Sequence, residues 1–248
     1  MSMQGIGALR GMPGLIKALK AFPSHEDQEA TSEVHVTLEE ATRHAEFAQK
    51  EFDAGFPLLH AHTLVGLWGA LEVAIDDLLV GILTNEPTLL QNDSFAKIRV
   101  PLADFEMLEK EERMRLLIRE LGRTPGAGRK QGVDQFEALL SHFALSGNVE
   151  RQVKQDIREI NHVRNVIVHR GSLADRTLTE GCPWMNLKIG DKVLVTPVSF
   201  RRYSHALESY VLEITYRVGY RYGVDTKALV EEREKHDASP ESSTESVL

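Results

Sequence analysis

Eight apolar residues, Leu64, Leu67, Trp68, Leu71, Ile75, Leu78, Leu79 and Ile82, recur at spacings of one, three and four. That period predicts one long helix, from Leu58 to about Thr84, with Pro57 in its first turn. A stripe this wide cannot be covered by one neighbour, so the helix must sit at the centre of a bundle. Glu72 and Asp76 lie one turn apart on it and form a polar edge facing water or neighbouring arginines. Together with Asp77 they interrupt the most apolar run of the chain, Leu64 to Leu83, which therefore does not read as a membrane span.

The remaining segments read as further helices in the same way. Thr37 with Glu40 predicts a capped helix running to about Asp53, which Gly55 helps to end. Asn85 to Leu102 reads as a loop, Phe105 to Leu121 as a charged helix stopped at Gly122, and Asp134 to Leu145 as a short helix. Thr124 to Gly132 is glycine-rich and basic but lacks the order of a phosphate-binding P-loop. Asn148 is the expected cap of a helix from Val149 to Arg170, followed by a loop from Ser172 to Cys182. Leu187–Ile189 and Val193–Val195 flank Gly190-Asp191 and predict a small β-hairpin. Ser199 should cap a last long helix, with Tyr203, Leu207, Tyr210, Ile214 and Val218 facing inward. The expected fold is an all-α antiparallel helical bundle with a hairpin insert before its last long helix. Residues 1–36 read as a flexible arm with room for a short amphipathic helix around Leu15 to Phe22, and 37–225 as the helical domain. The tail, 226–248, is acidic and serine-rich from about Glu231 and reads as disordered.

The stretch Glu159 to Gly171, EINHVRNVIVHRG, sets polar groups inside an apolar helical period. Val163, Val166 and Ile167 follow a buried face, and Arg164, Asn165 and His169 lie among them. Leaving a buried polar group unpaired costs roughly 2 to 7 kcal/mol. Arg164 and His169 are therefore paired in the interior or line a cleft. Asn165 and His169 are one turn apart on one face. Arg164 lies about 140° round from His169, and its long side chain can swing back towards it. A guanidinium, an amide and an imidazole brought together suit a phosphate, with the imidazole able to take and give a proton near neutral pH. A structural use competes, with Arg164 as buried partner of Glu159, Asp156 or Asp175.

RNVIVHRG, late in a helical chain, resembles the signature of the HEPN superfamily, whose ribonuclease members carry Arg, four to six residues, then His. A polar residue, often Asn, directly follows the Arg; here Arg164, Asn165 and His169 match, with four residues between Arg and His. The resemblance implies a four-helix bundle, a homodimer, and a composite active site where two motifs face each other across the two-fold axis. It also implies RNA as substrate, cut without metal or cofactor: a base removes the 2′-hydroxyl proton, that oxygen attacks phosphorus, and the 5′-oxygen leaves protonated. His169 is then base or acid, Arg164 stabilises the phosphoryl charge, and Asn165 orients the histidine or holds a phosphate oxygen. Arg158 and Arg170 are candidates for further substrate contacts. Some toxins of the superfamily carry a Tyr two residues after the histidine, where a partner modifies them. Gly171 occupies that position here, so this route is closed. A regulatory partner protein and a role in stress or defence are further expectations from the family. A non-catalytic nucleotide-binding or dimerisation module is the alternative.

Charge and composition agree with local rather than general nucleic-acid binding. The net charge of −8 argues against a protein that coats nucleic acid. Between Arg151 and Arg202, however, ten Lys or Arg stand against five Asp or Glu, and the rest of the chain carries −13. The single cysteine, Cys182, excludes an internal disulfide and fits a reducing cytoplasm. Residues 1–22 do not form a secretory signal. His60 and His62 read as ordinary helix-end residues, and no ligand set for a metal is in view.

Overall fold

The computed structural model describes residues 28–123 and 131–226, and places Pro13, Gly14 and Lys17 in helix. Apart from Lys17, the expected short helix at Leu15–Phe22 lies outside the described residues, as do most of the glycine-rich loop and nearly all of the acidic tail. Nine α-helices fill the described part: α1 (Gln28–Asp53), α2 (Pro57–Asn85), α3 (Asp93–Ala96), α4 (Leu102–Glu106), α5 (Lys110–Gly122), α6 (Val133–Ser141), α7 (Arg151–Arg170), α8 (Arg176–Gly181) and α9 (Pro197–Tyr222). The protein is all-α. Among the described residues no helix is long and apolar enough to cross a membrane.

The α2 stripe is the hub. It packs against α5, α7 and α9, while α9 also packs on α7. Leu64, Trp68, Leu71, Ile75, Leu79 and Leu83 are buried at the expected period. Trp68 packs on Phe136 of α6 at 5.6 Å, and Phe136 on Tyr210 of α9 at 6.2 Å. From α9, Tyr203, Leu207, Tyr210 and Ile214 are buried as expected, with Val218 partly so.

Several ends differ from expectation. α1 begins at Gln28, so Thr37 lies inside the helix rather than capping it. The preceding Gln, Glu and Ala residues are good helix formers and continue the helix through that point. The sharp break falls instead at Gly55 and Phe56, both left-handed (φ 71° and 61°), before Pro57 opens α2. The charged helix is two pieces. Glu109 and Glu112 form a reciprocal capping box that starts α5 anew. Asn148 does not cap α7; Glu150 precedes it. Thr196, not Ser199, caps α9, accepting a hydrogen bond from the Ser199 amide at 3.2 Å. With Pro197 at the first position, Thr196 is the last residue free to take the capping conformation.

The hairpin does not form. Lys188 to Asp191 make a tight turn, closed by the Asp191 amide to the Lys188 carbonyl at 3.0 Å. The arms then pair with the segment leaving α7 rather than with each other. The Ala174 amide donates to Asp191 O, Gly190 N to Ala174 O and Val193 N to Ser172 O, each at 2.8 Å. The helix-end segment offered unpaired backbone groups, and Val193 and Val195 become buried by this arrangement.

Candidate functional site

Helix α7 stops where the sequence indicates. Gly171 takes a left-handed conformation (φ 58°), and its amide and that of Ser172 both donate to the Val166 carbonyl. The end is held, and the side chains of the last turn project from it.

Two faces of α7 have different partners. Asp156 and Glu159, one turn apart, point to α9 and are 4% and 2% exposed. Arg202 donates to both, to Asp156 Oδ1 at 3.0 Å and to Glu159 Oε1. Tyr203 donates its hydroxyl to Glu159 Oε1, and Trp184 Nε1 donates to Oε2 at 2.7 Å. Burial raises the Asp156 carboxyl pKa, and Glu159 beside it adds to the rise, against the pull of Gln152 and Arg202. Burial also pushes the Tyr203 hydroxyl up, reinforced by Glu159. The competing expectation for Arg164 is thus corrected: the acids of α7 pair with Arg202. Arg164, about 140° round from Glu159, points towards α2 instead.

There its guanidinium meets the polar edge of the central helix. Arg164 Nη2 lies 3.6 Å from Glu72 Oε2, and Nη1 donates to Asn165 Oδ1 at 2.9 Å. Arg164 Nε is buried without a hydrogen-bond partner among the described residues. The arginine therefore reaches the face that carries Asn165, as its flexible side chain allowed. One turn further, His169 is exposed and has no hydrogen bond or ion pair among the described residues. Arg170 is also exposed, with Nε 3.7 Å from Asp175 Oδ2.

Arg158 does not join this group. It shares the face of His169 but lies 11 residues before it, about 16 Å along the axis. Its backbone is covered by Gly132, where an added Cβ would sit 3.0 Å from Arg158 Cα. Between the two lies His162, which is 2% exposed and roofed by α8. The sequence reading passed over His162 and Trp184. The apolar period itself carried the signal for His162, since it falls four before Val166 on a face that must be covered.

The other candidates take structural places. Cys182 is buried, and desolvation pushes its thiol up to about 12, so it is an inert core residue. His60 stacks on Phe200 at 4.6 Å, while His62 is exposed. No group of three or more His, Cys, Asp or Glu able to hold a metal occurs among the described residues. The arrangement offers one guanidinium, one amide and one free imidazole over two turns of helix, a set that can bind a phosphate and move a proton. Compared with known proteins, the chain matches no family model, no curated protein and no solved structure.

Proposed function

We propose that the protein is a metal-independent RNA endonuclease of HEPN type, with His169 moving the proton and Arg164 holding the phosphate. The observation that carries this reading is the free imidazole at the end of α7, one turn from Asn165, which accepts a hydrogen bond from Arg164. His169 takes the 2′-hydroxyl proton or protonates the departing 5′-oxygen. Arg164 bears the charge that gathers on the phosphoryl oxygens, and Arg170 steadies a neighbouring phosphate. The products are a 2′,3′-cyclic phosphate and a 5′-hydroxyl. A single copy presents one such histidine, so a base and an acid together require a second copy across a two-fold axis. An apolar groove of about 210 Å³ between α2 (Leu71, Ala74, Leu78) and α9 (Val211, Ile214, Val218) supports a homodimer, as does the exposure of Leu67 and Val73 on α2. A cytoplasmic setting and a regulatory partner belong to the same reading. The test is end-group analysis of a mixed single-stranded RNA incubated with the protein in EDTA. Cyclic-phosphate ends are expected; 3′-hydroxyl ends, or dependence on added metal, would refute the mechanism.

A second reading has its own observation. Arg164 bridges α7 to Glu72 of α2, so the same residues serve a non-catalytic module in which the cluster fastens helices and the apolar groove carries dimerisation. In that case wild type would sediment as a dimer yet leave RNA intact.

A further inference from the structure

His162 is a buried ionisable group that the proposed reaction does not use. Its imidazole is 2% exposed and lies against Gly181, the last residue of α8. A Cβ added at Gly181 would sit 2.5 Å from His162 Nε2 and 2.7 Å from Cε1, so glycine alone lets the two helices approach this closely. His162 Nε2 has no hydrogen-bond partner among the described residues.

The surroundings favour the uncharged ring. Burial lowers its pKa below the ordinary 6.5, and Arg158 one turn back on α7 lowers it further. Asp175, which caps α8, opposes this, while Glu180 on α8 is exposed and pairs with Arg176. The Asp175 carboxylate is already engaged, capping the helix through the Leu178 amide at 2.9 Å and facing Arg170 at 3.7 Å. On the α9 side, Arg202 and Tyr203 are turned to Glu159. An imidazolium carries N–H on both ring nitrogens, so Nε2–H would face Gly181 with no acceptor.

The segment over His162 buries Ala174, Leu178 and Cys182 in the core, and polar groups hold it at few further points. Trp184 reaches Glu159, and Ser172 and Ala174 pair with Val193, Gly190 and Asp191. We propose that residues 174–186 form a proton-released cover on α7, docked while His162 is neutral and released when it takes a proton. Release bares the face on which Asn165 and His169 follow His162. The inference does not depend on RNA being the substrate.

Amide hydrogen exchange in the full chain tests it, comparing residues 176–186 with α9 as internal reference at about pH 7.5 and about pH 5.5, after correction for intrinsic rates. The released fraction should rise by up to about tenfold per pH unit below 6.5, because the released histidine binds the proton that the docked one resists. In His162→Leu, which cannot titrate, the pH dependence should vanish. Gly181→Ala, whose methyl displaces the ring, should exchange fast already at about pH 7.5. Equal relative protection at both pH values in wild type, or acceleration that persists in His162→Leu, would overturn the proposal. Should His162→Leu not fold, NMR titration of the His162 ring decides: a pKa below 6.5 supports the cover, and one at or above it refutes it.

Discussion

Asp156, Glu159 and His162 on α7 are all less than a tenth exposed and are held by Arg202, Tyr203, Trp184 and Gly181. Two turns on, His169 and Arg170 stand exposed, and Arg164 is half-buried with one charged partner 3.6 Å away. The same helix thus carries a stretch whose two acids are buried and paired and whose histidine is packed inside the fold, and an end whose last polar side chains stand exposed. A buried, paired charge is costly to break, whereas an exposed one contributes little to stability. What the exposed end does for this molecule must therefore be sought in something it meets.

Breaking the committed stretch should have the largest effect. Glu159→Ala leaves Arg202, Tyr203 and Trp184 without their shared acceptor and should destabilise by about 3 to 5 kcal/mol in urea unfolding. A loss under about 1 kcal/mol would show that water replaces the carboxylate and that this face is no more committed than the end.

Acid should separate the two regions next. His162 has a lowered pKa when folded, so below 6.5 the unfolded chain binds the extra proton and the folded chain resists it. Stability should fall as pH drops from 6.5 towards the folded value, by at most about 1.4 kcal/mol per pH unit, and His162→Leu should remove that slope. Asp156 acts oppositely. Its raised pKa means that the folded state takes a proton first, so its contribution to stability grows as pH falls towards 3.8. Urea midpoints measured from neutral to mildly acidic pH in His162→Leu and Asp156→Asn resolve the opposite signs.

Arg164→Ala should cost no more than about 1 kcal/mol, because its pair with Glu72 is long and both side chains are 28% and 39% exposed. A double-mutant cycle with Glu72→Ala sharpens this. A coupling above about 1 kcal/mol would move Arg164 to the committed side of the comparison. Smallest is His169→Ala, expected within about 0.5 kcal/mol of wild type by the same unfolding measurement.

The sequence made the helical regions far more legible than their ends. Periods of three and four gave α2 and α9 their buried faces because burial there is set by one helix's own geometry. Ends depended on competition between nearby residues. Thr196 displaced Ser199 as cap once Pro197 fixed the first position, and Ala174 drew the Gly190-Asp191 turn away from a hairpin. At the candidate site, the placing of Arg164 beside Asn165 follows from residues one apart. Glu159 with Arg202 was not legible, since the partners are 43 residues apart and only the packing of α9 on α7 brings them together. Glu72 was readable as a polar edge but not as the partner of Arg164.

The most direct test of the account pairs stability and RNA cleavage in one variant, His169→Ala. Cleavage of single-stranded RNA in EDTA should fall by roughly 10²- to 10⁴-fold, while the urea midpoint and helical circular dichroism stay at wild-type values. Cleavage undiminished in a folded His169→Ala protein would contradict the assignment of the exposed end of α7 as the reacting site.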